Sequence, residues 1–389
     1  MRYWAVILLA FGLFPGCGET TSGGSSSGGI SKPRFFIADS LGSACTVDER
    51  GRGRSASAAK AALDRLYSNS ERYIADLRRS TGLTAYHDAY TANWDPILFN
   101  SYAAAAAGDQ ALAATIIAGL AQLARGGRYL NEPGLITRSQ ALSGPSCYSQ
   151  GPNTPCPSHT PRFVARMYTN LLISAAVLEP YMNEQDRATI MPWFDAGYKK
   201  FVLPELNSDQ DGLYDFANNG MARLAYAALK NDMGLASREL SARRRDFVKH
   251  IEPSGYIQNN SYRGVRGFWY HTYGLDPALS YALVAREWGV DYFRDADLRA
   301  RMTAALQKTS LGITDYAAFR SVGNRGDSYS TNPADTKDHV HQFALNIYAI
   351  SSREFGIRLP ADRKFQELSR LESYSTISGL SARCYYSGR

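Results

Sequence analysis

The chain has 389 residues, 43 of them Lys or Arg and 36 Asp or Glu, for a formal net charge of +7, and 44% are hydrophobic. That length and apolar content suffice for a sizeable core, which excludes a wholly disordered chain. The positive excess suits an anionic partner, but no Lys/Arg-rich tract or nucleic-acid motif accompanies it, which argues against DNA or RNA binding.

The first element in chain order is an export signal. Arg2, the apolar run Trp4 to Phe14, and then Pro15, Gly16 and Cys17 follow its charge, core and small-residue order. The run is too short to span a bilayer. Phe-Pro-Gly-Cys-Gly-Glu resembles the end of a lipoprotein signal, although Phe14 and Pro15 replace the usual small aliphatic residues. The expectation is cleavage after Gly16 and a lipid on Cys17. That anchor would hold the exported chain at the cell envelope, periplasmic or outer-membrane associated; an unlipidated secreted protein is the alternative. Loss of residues 1–16 removes Arg2, so the charge becomes 7 − 1 = +6. Residues 17–32 then read as a Gly/Ser-rich spacer, and one domain is expected over 33–389.

Beyond the spacer, apolar residues recur at helical spacing between short Gly, Pro and Asn clusters, and strand-like alternation is scarce. The spacing predicts helices over Ser57–Arg79, Ile97–Ala107, Gln110–Arg125, Arg162–Met182, Glu184–Phe201, Asn219–Asn231, Leu235–His250, Pro277–Trp288, Leu298–Lys308, Val340–Phe355 and Ala361–Leu371. Asn183, three before Asp186, and Asp276 before Pro277 read as helix starts. So many helices with short connections imply antiparallel hairpins, and an all-α fold, an α/α toroid, is the economical closure. Cys45, Cys147, Cys156 and Cys384 allow three disulfide connectivities. The turn-rich interval favours Cys147 with Cys156, which leaves Cys45 with Cys384 to join the domain's ends. No Cys-x-x-Cys or His-x-x-x-His pattern accompanies them, so no metal or cofactor is expected.

Two segments carry candidate chemistry. In DQDGLYDFANNGMARLAY, Asp209 to Tyr226, turn residues give way to a helix at Asn218 or Asn219. These asparagines can cap the helix, or join its N-terminus as donors to a carboxylate. In YRGVRGFWYHTYGLDPAL, Tyr262 to Leu279, Arg263, Arg266, Trp269, Tyr270, His271 and Tyr273 crowd together. If helical, Arg266 and Tyr273 share a face; as a loop, the side chains can still converge, and an aromatic core plug with Arg266 at its rim is the plainer alternative.

NNG at Asn218 to Gly220 before a helix, followed by R-x-x-x-Y-H-x-Y at Arg266 to Tyr273, resembles the alginate lyases of polysaccharide lyase family 5. The likeness covers about Tyr214 to Arg286. It implies an α/α toroid that cleaves β-1,4-linked mannuronate, with Tyr273 in the place of the catalytic tyrosine, Arg266 of the arginine, Asn219 of the carboxylate-binding asparagine and His271 of the histidine in the Tyr-His-x-Tyr string. Where the family has a histidine after that asparagine, this chain has Gly220. His271, or His339 and His341 in DHVHQF, would have to supply the donor. Asn218, Arg263, Trp269 and Tyr270 are expected to line the substrate, with further subsites in Tyr86 to Trp94 or Ser139 to Cys156.

The residue types suit β-elimination. The C5 proton of a uronate is weakly acidic and its carboxylate opposes the carbanion, so Asn, Arg or His donors must neutralise that group. A tyrosine, ordinarily titrating near 10, is favoured as phenolate by a neighbouring guanidinium. In mannuronate and glucuronate the C5 proton and the C4 oxygen lie on one face, so one tyrosine can act as base and then acid. Glucuronan, as for the toroidal lyases of family 38, is the alternative substrate. A toroidal glycoside hydrolase using Asp209, Asp211 or Asp215, and a glycan-binding lipoprotein without catalysis, are the rival classes. The partners expected are an acidic polysaccharide and, through the lipid, a membrane; the chain is expected to act as a monomer.

Overall fold

Helices begin where the sequence supplies a cap. The computed structural model describes residues 41–47, 53–79, 84–143, 159–206, 213, 221–323, 345–360 and 380–389. Ser55 accepts the Ala58 N–H at the start of α1 (Ala56–Ser68), which Asn69 separates from α2 (Ser70–Arg79). α3 spans Thr84–Ala107, and Asp109 caps α4 (Gln110–Arg125) through the Leu112 N–H. The short α5 (Arg138–Ser143) precedes α6 (His159–Val177). Asn183 and Asp186 form a reciprocal capping box at α7 (Glu184–Gly197), which runs through a π turn at Tyr198–Val202 into α8 (Leu203–Leu206). α9 (Met221–Lys230) is followed by α10 (Met233–His250), capped by Asp232. Each such cap is worth about 1 kcal/mol.

α11 (Gly267–Glu287), α12 (Ala296–Thr314) and α13 (Tyr316–Arg320) follow, then α14 (Leu345–Phe355) and α15 (Ala382–Tyr386). Among the described residues there is no β-strand, only two isolated bridges. No described helix is long and apolar enough to cross a membrane.

Two layers emerge from burial. The described stretches of α6, α9 and α11 are buried almost all round, as a helix enclosed by others must be, whereas α1, α4, α10 and α12 bury one stripe and expose the other. α3 packs on α6 and α6 on α9, while α1 packs on α4 and α4 on α7. The hairpins α3/α4, α6/α7, α9/α10 and α11/α12 join the layers, giving an α/α toroid. Gly108 (φ 62°) and Asn231 (φ 54°) end α3 and α9 in the left-handed conformation that lets the chain reverse at once.

A buried charge network pins three helices together. Glu239 of α10, with no exposed surface, receives Arg223 of α9 (2.5 Å), Arg243 (3.1 Å) and the hydroxyl of Tyr281 of α11 (3.5 Å). Burial and the Glu239 charge raise the Tyr281 phenol well above its ordinary value, so it stays a donor.

The ends of the described domain meet. α15 packs on α14 and on the turn Ser43–Cys45, which packs on α3, and Cys45 is disulfide-bonded to Cys384 across 339 residues of sequence. Closing so long a loop restricts the unfolded chain, so reduction, or the double substitution C45S/C384S, is expected to cost about 3–5 kcal/mol. A denaturant midpoint that reducing agent leaves unmoved would contradict this. Cys147 and Cys156 lie outside the described residues.

One expectation is corrected. Asp276 and Pro277 do not start a helix: α11 begins ten residues earlier, at Gly267, and carries Pro277 in its interior. The stretch Phe268 to Leu275 is buried except for partly exposed Trp269, and that burial outweighs the roughly 3 kcal/mol penalty of an internal proline. Asp276 is buried within the helix.

Candidate active site

The segment before α11 folds back on the helix that follows it. Residues 258–262 form turns, with Asn259 at φ 60°, and a 3-10 turn over Gly264–Arg266 leads directly into α11. Gly267 is required at that junction, because a Cβ there would stand 2.3 Å from the Ser261 carbonyl oxygen. Arg266 thus lies at the N-cap of α11 rather than inside it.

This return brings two guanidinium groups over one aromatic ring. Arg263 lies 4.1 Å and Arg266 5.3 Å from the Tyr270 ring centre, both within cation–π range. Tyr270 meets Trp269 edge-on at 4.4 Å and Tyr273 edge-on at 6.2 Å, while Trp269 and Tyr273 lie nearly parallel at 5.5 Å. Five of the sequence-predicted site residues, Arg263, Arg266, Trp269, Tyr270 and Tyr273, therefore form one aromatic and cationic cluster. Tyr270 and Tyr273 make up a small cluster separate from the main core, with partly buried Trp269 packed against it. Chemically, such a cluster offers apolar faces for sugar rings, positive charge for carboxylates and phenol groups for proton transfer.

His271 is placed differently from its neighbours. Its side chain has no exposed surface. Nε2–H donates to the Ala305 carbonyl (3.1 Å), so Nδ1 of the neutral ring accepts from the Ser261 hydroxyl (2.9 Å), whose oxygen in turn accepts the Ile257 N–H (2.8 Å). Phe319 packs against the ring edge-on at 5.3 Å. The ring is thus held by α12 and the 257–261 turn, whereas the sequence suggested that it faces a substrate carboxylate. The reason is helical phase: in a helix buried on all sides, the residue after Tyr270 points away from the face that Tyr270 and Tyr273 share.

Burial, with a smaller effect of the Lys308 charge, lowers the His271 pKa from 6.5 to about 4. The unfolded chain then binds a proton that the folded chain refuses, so stability is complete above pH 6.5 and is lost as pH falls toward 4. Unfolding free energy should drop by about 2 kcal/mol between pH 7 and pH 5 through this group. Denaturant titrations of the wild type and His271→Gln test this, and an equal pH slope in both would contradict it.

Asn218, Asn219, Gly220, His339 and His341 lie outside the described residues, as does Cys17. α9 begins at Met221, directly after the NNG string in sequence. Tyr86 to Trp94 belong to α3, with their side chains outside the description, and of Ser139 to Cys156 only the α5 part is described. Among the described residues no three His, Cys, Asp or Glu side chains converge as a metal site. Sequence reading passed over Asn260 and Ser261, whose one signal is a polar run, Gln258 to Ser261, ahead of the aromatic string.

The segment with this cluster lies inside the stretch, residues 162–319, that matches the family model described as alginate lyase. The chain is an alginate lyase-like toroidal lyase. Solved structures agree in fold. Alginate lyase A1-III from Sphingomonas species A1 superposes with a TM-score of 0.55 at 14% identity, over 90% of this chain and 98% of that one. A histidine-to-alanine variant of A1-III complexed with a tetrasaccharide gives 0.55 at 14% identity, covering 90% and 97%. A tyrosine-to-phenylalanine variant, also complexed with a tetrasaccharide, gives 0.53 at 13%, with the same coverage. No curated protein matches the chain. At such identities the structures establish the toroid, and the family match makes the alginate lyase-like chain a polysaccharide lyase.

Proposed function

We propose that this lyase cleaves β-1,4-linked polyuronate, poly-β-D-mannuronate in the first place, by syn β-elimination at the Tyr273 cluster. The observation that carries the reading is the convergence of Arg263 and Arg266 on Tyr270, edge-on to Tyr273, within the segment that matches the alginate lyase family. Asn219 and Arg266 donate to the carboxylate on C5, with Asn218 beside them, and so stabilise the charge that develops as the proton leaves. Tyr273, as phenolate, takes the C5 proton. The electron pair of that bond forms the C4=C5 double bond as the bond from C4 to the glycosidic oxygen breaks, and the Tyr273 phenol returns its proton to the departing oxygen. Trp269 and Tyr270 supply faces against which sugar rings stack. No cofactor takes part in these steps.

Glucuronan is the second reading, because Gly220 stands where the family has a histidine and mannuronate and glucuronate differ only at C2. The test is incubation with polymannuronate, polyguluronate, glucuronan and neutral glycans while following the ultraviolet absorbance of unsaturated uronate ends. Absorbance with polymannuronate supports the first reading and with glucuronan alone the second. New reducing ends without absorbance would replace elimination by hydrolysis. Export and a lipid on Cys17 complete the proposal, since a tethered enzyme meets polymers at the envelope. Mass spectrometry of the mature N-terminus tests the anchor, with an unmodified Cys17 as the opposing outcome.

A further inference from the structure

Asn260 is buried with no exposed surface, and its Nδ2 donates to the Tyr270 carbonyl at 2.8 Å, a bond from outside the helix to a turn of α11. Its Oδ1 has no hydrogen-bond partner among the described residues. A buried amide that leaves one atom unsatisfied is a poor device for stability, which directs attention to what its other atom holds.

That turn needs holding. Pro277 has no N–H, so the carbonyl four residues earlier, that of Tyr273, lacks its helical donor, and the proline ring crowds it. The proposed base therefore lies one turn before the helix-interior proline. Gly274 lets the Asn260 amide come close, because a Cβ there would stand 2.5 Å from Nδ2. The next residue, Ser261, bonds the His271 ring at 2.9 Å, and His271 is fastened in turn to Ala305 of α12. Two consecutive turn residues thus grip two consecutive helix residues, one through the backbone and one through a side chain.

We propose that Asn260, assisted by the Ser261–His271 contact, is a positioning residue that fixes the Tyr270–Tyr273 turn of α11 and so aims the Tyr273 hydroxyl. The inference rests on the reading of Tyr273 as base and acid. A single tyrosine serving C5 and then the C4 oxygen must reach both from one position, so a small displacement reduces kcat and leaves binding by the arginines and stacking rings in place.

The test uses Asn260→Asp in the full chain, which keeps the volume and removes the donor, with Asn260→Ala as the second variant. The control is Asn346→Ala, a buried asparagine of α14 that bonds Leu380, Ala382 and, on α11 two turns after Tyr273, Ser280. On the polyuronate that the wild type cleaves, both Asn260 variants should lose about 10- to 100-fold in kcat with KM held within about threefold. The control should lose thermal stability and keep kcat. In parallel, NMR of ring-labelled tyrosine, with the resonance assigned by Tyr273→Phe, should show Tyr273 moved in the Asn260 variants and unmoved in the control. Unchanged kcat and an unmoved resonance in a folded Asn260 variant would overturn the proposal, as would an equal loss of kcat in the control. If Tyr273→Phe keeps full elimination, the assignment of the base fails instead, and the resonance still reports whether Asn260 holds this turn.

Discussion

Tyr273→Phe is expected to lower elimination of polymannuronate by roughly a thousandfold, the range in which a lost general acid or base falls. The loss should appear in kcat, because phenylalanine keeps the ring that lies parallel to Trp269 at 5.5 Å and edge-on to Tyr270 at 6.2 Å, and so keeps the shape of the cluster. KM should change little, since carboxylate binding is assigned to Arg266 and Asn219. The folded state should be nearly as stable as the wild type. The measurement is the initial rate of unsaturated-end absorbance, with far-ultraviolet circular dichroism to verify folding. A variant that retains full elimination would remove Tyr273 from the mechanism, and attention would pass to Tyr270, the other phenol of the cluster.

The second large effect concerns the scaffold. Glu239→Ala removes a carboxylate that Arg223 and Arg243 both reach, and it stands fully buried between α9, α10 and α11. Leaving buried guanidinium groups without it is expected to cost about 3–5 kcal/mol. In a protein of this size that is a fall of roughly 5–10 °C in the thermal midpoint. Glu239→Gln, which keeps shape and one acceptor, should cost less. The carboxylate also orders function indirectly, because Arg223 lies in the first turn of α9, just after the NNG string, and Tyr281 lies on the helix that carries Tyr273. At temperatures where Glu239→Ala remains folded, weaker polyuronate binding is therefore expected alongside lower stability. A midpoint within 1–2 °C of the wild type would show that the network contributes nothing net.

Much of this was legible in residue order alone. The Asn183–Asp186 pair announced the start of α7, because a cap is a local event between a side chain and the next turn. The apolar spacing over Gln110–Arg125 and Leu298–Lys308 announced α4 and most of α12, because a helix with one face in water repeats its apolar residues at the helical period. Cys45 and Cys384 emerged as partners once the turn-rich interval was assigned to Cys147 and Cys156, and they are bonded here. The spacing from Arg266 to Tyr273 identified the segment on which the cluster is built.

What residue order could not supply is the placement of side chains in a helix buried on every side. Phe268 to Ala285 carry no polar face, so periodicity had no phase to read, and Asp276–Pro277 imitated a helix start inside a continuous helix. The same absence of phase made His271 look equivalent to Tyr270 and Tyr273. Its direction is set by Ser261, Ala305 and Phe319, residues 10 to 48 positions away in sequence. Local signals specify elements and their boundaries where solvent is on one side. In the inner layer of the toroid every side is protein, and the neighbours decide which residues face the substrate and which are locked into the wall.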